Sequence, residues 1–279
     1  MARYAAIDCG TNSLRLLISE DNHGRPREIV RLMEIVRLGQ GVDATGEFAP
    51  EALERTRKVL TKYVDLMQQE RVQDVRMVAT SATRDARNKD EFFAMTAELL
   101  GQIRPGACAQ VITGEEEAKL SFIGAVAYLS KEQGPFCVID LGGGSTEFVV
   151  GVAGGQLLGS YSSQMGCVRI SERIMQSDPP TPEEVEAARQ YVAERLAEVQ
   201  EIVPIASAKT FVGCAGTFTT IAALVLGLEK YEPKAIHDCH LRFDGLRALT
   251  RELISITSAE RGANPVIHPG RAAVIAGGG

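Results

Sequence analysis

Hydrophobic residues in the first half of the chain come in short runs and then in stretches where they recur every three or four positions. Short apolar runs bounded by turn residues predict β-strands, whereas the longer spacing predicts helices with one buried face. Strands are predicted at residues 4–8, 14–19, 28–37, 75–79 and 110–112, with a turn at 21–24. Helices are predicted at residues 50–69, 88–101 and 115–129. An antiparallel start followed by alternating strands and helices is typical of an α/β domain.

The second half repeats this order of elements. Strands are predicted at residues 136–140, 146–152, 156–160, 211–214 and 241–243, the second and third joined by a turn at 153–155. Helices are predicted at residues 217–226 and 246–256, and a further helix begins after Thr181, where Thr-Pro-Glu-Glu is typical of a capping box. A short linker at 130–135 predicts two domains, 1–130 and 131–279. The second domain ends just as an Ala-rich helix begins, so we expect its last helix to be truncated.

One sequence phrase occurs twice, once in each half. Residues 7–18 read IDCGTNSLRLLI, and residues 139–150, which lie 132 positions further on, read IDLGGGSTEFVV. Each copy predicts a strand–turn–strand hairpin with an Asp and a small-residue turn at its tip. Backbone N–H groups in such a turn suit phosphate, and a carboxylate suits a divalent cation. A single copy could equally be an ordinary hairpin, but two copies at equivalent places favour two related halves that bind one ligand.

The second copy has the richer chemistry. Gly142, Gly143 and Gly144 allow the backbone to approach a ligand closely, and Asp140 and Glu147 flank them and could share one Mg²⁺. The loop is neither a P-loop nor a dinucleotide-binding G-x-G-x-x-G turn, because residues that favour strands follow it.

Composition restricts the class of protein. The net charge of −6 and pI near 5.4 give no support for a general nucleic-acid surface. There is no apolar run of about 18 residues and no visible signal peptide, so no membrane span is predicted. The 6 Cys are scattered, and the 4 His lack zinc spacing with them. We expect reduced thiols in a cytoplasmic protein.

Two further polar segments leave alternatives open when read alone. Glu115, Glu116 and Glu117 begin a predicted helix, where acidic residues commonly cap the first turn. Arg84 follows a strand and a polar turn, where it could be either a solvated side chain or a phosphate ligand.

These motifs together resemble the Ppx/GppA phosphatase family of exopolyphosphatases and guanosine pentaphosphate phosphohydrolases. Besides the two glycine phrases, the resemblance rests on five segments: ATSATRDARN at 79–88, ITGEEEAKLSFIGAV at 112–126, SQMGCVRISER at 163–173, FVGCAGTFTTIAAL at 211–224 and IHPGRAAVIAG at 267–277. It covers nearly the whole chain. It implies an α/β fold of two ribonuclease H-like, actin-type ATPase domains related by duplication, with an active-site cleft between them.

The resemblance also implies roles for individual residues. Glu116 corresponds to the catalytic carboxylate that activates water, with Glu117 as the alternative. Mg²⁺, or Mn²⁺, would be held by Asp140 and Glu147, with Asp8 contributing through water. The implied phosphate-binding residues are Gly10, Thr11, Asn12, Ser13, Arg84, Gly142, Gly143, Gly144, Ser145 and Cys167.

The implied function is hydrolysis of terminal phosphoanhydride bonds. Inorganic polyphosphate is the first expected substrate and guanosine pentaphosphate the second. A non-catalytic alarmone-binding regulator and an actin-fold kinase remain as alternatives, and dimer formation stays open. The loop at 213–217, where related kinases contact adenosine, is interpreted as a tight strand-to-helix turn. Arg261 and Arg271 could line the channel, but as isolated arginines they are interpreted as surface residues.

Overall fold

The computed structural model describes residues 2–22 and 25–278, so part of the turn predicted at 21–24 lies outside the described residues. The chain divides into two compact units, Met1–Thr113 and Gly114–Gly279. Each unit carries one mixed β-sheet of its own.

The first unit is built on a five-stranded sheet. Its strands are β1 (Arg3–Cys9), β2 (Ser13–Asn22), β3 (Arg25–Ile35), β4 (Asp74–Ala79) and β5 (Ala109–Val111). Its helices are α1 (Val42–Thr45), α2 (Pro50–Gln69), α3 (Ser81–Asp85) and α4 (Lys89–Leu100). The strand order is β3-β2-β1-β4-β5, antiparallel from β3 to β1 and parallel from β1 to β5. This is the antiparallel start followed by alternating strands and helices that the sequence predicted.

Helix α2 shows how sequence pattern becomes packing in this unit. Pro50 occupies the first turn, where its missing N–H costs no hydrogen bond. Leu60, Val64 and Met67 recur on one face and are buried in the core of the unit. Tyr63 lies on the same face, and its hydroxyl donates a hydrogen bond to the Leu14 carbonyl at 3.0 Å, which ties the helix to β2.

The second unit repeats the plan with four strands. They are β6 (Phe136–Leu141), β7 (Thr146–Gly151), β8 (Leu157–Ser163) and β9 (Thr210–Cys214), in the order β8-β7-β6-β9. The larger helices are α5 (Gly114–Val126), α6 (Cys167–Arg173), α7 (Pro182–Ile202), α8 (Ala215–Val225) and α10 (Phe243–Ser255). The shorter ones are α9 (Pro233–Ile236), α11 (Ser258–Ala263) and α12 (Pro269–Ala272), and a 3-10 turn follows at Ile275–Gly278. Again β6 pairs antiparallel with β7 and parallel with β9.

The helix start predicted at Thr181 is confirmed. The Thr181 hydroxyl accepts the Glu184 N–H at 3.2 Å, and the Glu184 carboxylate accepts the Thr181 N–H at 3.0 Å. This reciprocal capping box satisfies two donors that would otherwise lack partners at the first turn of α7.

The strand predicted at residues 241–243 is wrong. Phe243 begins α10, and Leu241 packs beside a helical cluster that contains Ala222 and Ile236. The apolar side chain that suggested a strand is therefore accounted for by packing between helices.

Helix α5 packs with the second unit. Its buried residues Ala118 and Phe122 lie in one cluster with Phe136, Val138 and Val149 of β6 and β7. The domain limits expected from the linker, 1–130 and 131–279, placed this helix in the first domain, whereas the compact units divide at Thr113 and Gly114. Apolar contact with the second sheet explains the difference.

Candidate active site

The two glycine phrases fold into turns with the same closing hydrogen bond. In the first unit, the Gly10 N–H donates to the Ser13 carbonyl at 3.0 Å. In the second unit, the Gly142 N–H donates to the Ser145 carbonyl, also at 3.0 Å. Each turn joins the first two strands of its sheet, so the sequence repeat corresponds to a structural repeat.

The carbonyls of the second turn face helix α6. The Gly142 carbonyl accepts the Cys167 N–H at 3.0 Å, and the Gly143 carbonyl accepts the Val168 N–H at 2.9 Å. These peptides are trans, and in a trans peptide the N–H points opposite to the C=O. The N–H groups of Gly143 and Gly144 therefore face away from α6. Successive N–H groups on one side of a turn form an anion-binding concavity.

The first turn is held in the same way by the segment that follows β3. The Asn12 carbonyl accepts the N–H groups of Val36 and Arg37, both at 3.0 Å, and the Thr11 carbonyl accepts that of Gly39 at 2.8 Å. By the same geometry, the N–H groups of Asn12 and Ser13 face the other side. Asn12 is 6% exposed, and its Nδ2 has no hydrogen-bond partner among the described residues, as expected of a donor kept for a ligand.

The residues beside the two turns differ in charge. In the second unit Asp140 of β6 pairs across the sheet with Glu147 of β7, which places both carboxylates on one face. At the equivalent positions of the first unit Asp8 pairs with Arg15, and Arg15 Nη1 lies 2.9 Å from Asp8 Oδ2. The second unit thus concentrates negative charge where the first unit has an ion pair.

Glu147 is the buried member of this pair, with 1% of its surface exposed. The Ser162 hydroxyl of β8 donates to its Oε1 at 2.7 Å. Burial, followed by the neighbouring charges of Glu117 and Asp140, raises the pKa of Glu147 to about 8. A carboxylate in this setting favours a nearby cation.

Helix α5 carries a further carboxylate whose charge acts on Glu147. Glu117 is the α5 residue whose charge acts most strongly on Glu147. One turn further along, the Ser121 hydroxyl donates to the Asp140 carboxylate. The helix can approach β8 closely because Gly114 has no side chain: a Cβ there would lie 2.5 Å from the Ser162 Cβ. Of the two adjacent glutamates, Glu117 is therefore the one whose charge acts on Glu147.

The donor chemistry of this cluster fits a hard divalent cation. Carboxylate oxygens are the ligands that Mg²⁺ and Mn²⁺ prefer. Among the described residues no three His, Cys, Asp or Glu side chains converge as a ready-made metal cage. That is compatible with Mg²⁺, which commonly uses one or two carboxylates and completes its shell with water and substrate phosphates.

Arg84 and Cys167 each donate a hydrogen bond to a backbone carbonyl that the sequence did not predict. Arg84 lies on α3, and its Nη1 donates to the Ile112 carbonyl at 3.0 Å. The Cys167 N–H belongs to the backbone that the resemblance implied lines the phosphate pocket, and it donates to the Gly142 carbonyl at 3.0 Å. Its thiol is buried, and burial raises the pKa of the thiol, which favours the protonated form.

The interpretation of Arg261 and Arg271 as surface residues is wrong. Arg261 is 2% exposed and donates to the carbonyls of Ala272 and Leu253, both at 2.7 Å. Arg271 is 7% exposed, and its guanidinium lies against Gly216, where a Cβ would come within 1.9 Å. Both arginines are interior parts of the second unit.

Sequence reasoning also missed three residues that contact the site: Ser121, Ser162 and Arg169. A serine in a helix or strand carries no distinctive spacing signal. Arg169 lies two residues after Cys167, and nothing in the sequence singles it out. Its role follows only from the hydrogen bond that its side chain donates to the Gly144 carbonyl.

The fold and the duplicated turns define a two-unit α/β protein with one glycine turn per unit. The model of the Ppx/GppA phosphatase family matches residues 17–279. The chain belongs to the Ppx/GppA phosphatase family, which confirms the resemblance found in its motifs. Its two mixed sheets, one in each unit, agree with the α/β fold expected from the sequence.

Individual relatives agree with this assignment. Exopolyphosphatase 2 of Mycobacterium tuberculosis is 51% identical over 282 residues, which cover 100% of this chain and 88% of that protein. The crystal structure of an exopolyphosphatase-like protein is 39% identical with a TM-score of 0.91, covering 99% of this chain and 85% of that one. The Aquifex aeolicus family member is 33% identical with a TM-score of 0.78, covering 99% and 87%.

No helix among residues 2–22 and 25–278 is both long and apolar enough to cross a bilayer.

Proposed function

We propose that this chain is a hydrolase that releases terminal orthophosphate from inorganic polyphosphate. The observation that carries the proposal is the pair of Asp140 and the buried Glu147 beside the glycine turn of the second unit, with the charge of Glu117 acting on Glu147 from α5. Membership of a phosphatase family and 51% identity to an exopolyphosphatase support it.

The glycine turn binds the terminal phosphate through its backbone. The N–H groups of Gly143, Gly144 and Ser145 face the side opposite to α6 and would contact phosphate oxygens. Asp140 and Glu147 would hold a divalent cation, which supplies positive charge to neutralise the phosphate oxygens. Most of the rate enhancement in phosphoryl transfer comes from such positioning and charge neutralisation.

Glu117 is the better candidate for the general base that orients and deprotonates water. The resemblance assigned this role to Glu116. Glu117, however, is the residue that acts on the buried Glu147, and the next turn of its helix contacts Asp140 through Ser121. A general base must lie within hydrogen-bond reach of the water that it activates, so proximity to the carboxylate pair favours Glu117.

The first unit has phosphate-binding candidates of its own. The N–H groups of Asn12 and Ser13 and the guanidinium of Arg84 remain the predicted ligands there. Asp8 is left out of the metal ligands because Arg15 already offsets its charge. The cysteines are all free, which fits the reducing conditions of the cytoplasm, where we propose that the protein acts.

The test is phosphate release from polyphosphate of defined chain lengths and from guanosine pentaphosphate, each with Mg²⁺ and with EDTA. We expect faster turnover of polyphosphate and loss of turnover in EDTA. Turnover of guanosine pentaphosphate alone would overturn the choice of substrate. Transfer of phosphate from ATP to an acceptor without release of free phosphate would overturn the proposal that the chain is a hydrolase.

A further inference from the structure

Arg169 contacts the glycine turn of the second unit with both its backbone and its side chain. Its N–H donates to the Gly143 carbonyl at 3.1 Å, and its Nε donates to the Gly144 carbonyl at 2.8 Å. Its Nη2 donates to Gln164 Oε1 at 3.1 Å, which fixes the plane of the guanidinium. One residue therefore holds two consecutive carbonyls of the turn.

The direction of the Gly144 carbonyl decides where the next N–H points. Because the peptide is trans, holding this carbonyl toward Arg169 turns the Ser145 N–H to the opposite side. Consecutive glycines have little intrinsic preference for one backbone conformation, so this peptide needs an external restraint. The backbone of α6 restrains the Gly142 and Gly143 carbonyls, whereas the Gly144 carbonyl is held by a side chain.

We propose that Arg169 is a positioning residue, which clamps the Gly144 peptide so that the Ser145 N–H faces the terminal phosphate. The inference rests on the proposed function in that the turn binds a phosphoanhydride chain. The clamp requires a directed Nε donor and a second donor to Gln164. A lysine, which carries a single compact ammonium group, does not reproduce this paired geometry.

The experiment compares Arg169→Gln and Arg169→Lys with a matched control, Arg173→Gln, which alters an exposed arginine of the same helix. Binding of tripolyphosphate in Mg²⁺ is measured by calorimetry, and phosphate release is measured in parallel. We expect both Arg169 variants to bind roughly 10-fold more weakly, the scale of one lost charge-assisted contact. Arg173→Gln should bind like wild type. An Arg169→Lys protein that binds like wild type would overturn the clamp, because charge alone would then suffice.

Gln164→Ala gives a second measurement that does not disturb α6. It removes only the partner of Nη2, so we expect an intermediate loss of binding, about 2- to 5-fold, with unchanged thermal melting. If Arg169→Gln does not fold, tripolyphosphate binding by Gln164→Ala tests the proposal in its place. Unchanged binding by Gln164→Ala would overturn the proposal that Arg169 clamps the Gly144 peptide.

The binding measurement separates this proposal from the proposed function. A wild-type protein that binds tripolyphosphate without releasing phosphate would refute the proposed hydrolase function. The binding affinities of the variants would then still test whether Arg169 clamps the Gly144 peptide. Wild-type hydrolysis with equal binding by wild type and Arg169→Gln would refute the clamp alone.

Discussion

At the scale of single residues, one difference between the two sequence repeats separates their chemistry. Arg15 and Glu147 occupy equivalent positions opposite an Asp in a two-stranded pair. The first pairing joins opposite charges and is partly exposed, whereas the second joins two carboxylates and buries Glu147. Like charges in a buried site are unfavourable unless a proton or a cation compensates them. For this reason we propose metal binding at the second copy and not at the first.

The assignment of the base is tested by a pair of neighbouring substitutions. Glu117→Gln should lower kcat for polyphosphate by roughly 100-fold or more, the scale of general-base catalysis. Glu116→Gln is the matched control on the same helix and should keep most of the activity. Steady-state phosphate release with Mg²⁺ measures both. Loss of activity in Glu116→Gln with activity retained in Glu117→Gln would restore the assignment implied by the family resemblance.

The pKa of Glu147 predicts how stability depends on pH in the absence of metal. The folded protein holds this proton up to about pH 8, whereas the unfolded chain releases it near pH 4.5. The stability that Glu147 contributes is therefore complete below pH 4.5 and falls as the pH rises toward 8. Glu147→Gln removes this titration, so in EDTA its stability relative to wild type should increase over that range by several kcal/mol, because each unit of pKa shift corresponds to about 1.4 kcal/mol.

Urea unfolding at several pH values measures this difference. The control is Glu201→Gln at the exposed end of α7. Its free energy of unfolding relative to wild type should not change between pH 4.5 and 8. The prediction would be contradicted if the free energy of unfolding of Glu147→Gln relative to wild type did not change with pH.

At the scale of elements, the glycine turn depends on the start of α6. The first residues of this helix donate to the turn carbonyls, and Gly166 lies just before them. A Cβ on Gly166 would come within 2.4 Å of the Gly143 carbonyl oxygen. Backbone contacts this close exclude any side chain, so Gly166 is required for helix and turn to meet.

Gly166→Ala should displace the turn and weaken phosphate binding. We expect at least a 10-fold increase in KM for polyphosphate and a loss of roughly 1–3 kcal/mol of stability, the scale of overpacking. Gly124→Ala on α5 is the control, because an added Cβ there meets nothing within 4 Å. Kinetics and thermal melting measure both variants. A Gly166→Ala protein with wild-type KM would show that the turn does not rely on this contact.

At the scale of the whole molecule, each unit has its own hydrophobic core. The first core surrounds β1, β2 and α2, and Phe92 of α4 is fully buried within it. The second unit packs α5 on its sheet through Phe122, which is equally buried. Stability should therefore be distributed in two parts, with α5 in the second.

Two core substitutions test this division by hydrogen exchange. Phe92→Ala should lower amide protection chiefly in residues 1–113, and Phe122→Ala chiefly in residues 114–279, including α5. Each should cost roughly 3–5 kcal/mol in its own unit. Loss of protection in α5 caused by Phe92→Ala, and not by Phe122→Ala, would instead favour the division at residue 130 expected from the linker.

Local patterns in the sequence determined much of this protein. Apolar runs, helical spacing and the Thr181 capping box predicted most strands and helices, because these depend on residues near one another in the chain. The duplicated phrase predicted equivalent turns in both halves, and the family motifs indicated a phosphatase. The same local evidence placed Asp140 and Glu147 together, since they face each other across a hairpin.

The tertiary structure decided what depends on residues distant in sequence. It placed α5 on the second sheet, buried Arg261 and Arg271, and gave Leu241 to a helical cluster rather than a strand. It also favours Glu117 over Glu116 as the proposed base, because the phase of a helix against a sheet decides which of two adjacent carboxylates acts on Glu147. Sequence fixes the order of such groups along the chain, but only packing between elements sets which of them meet.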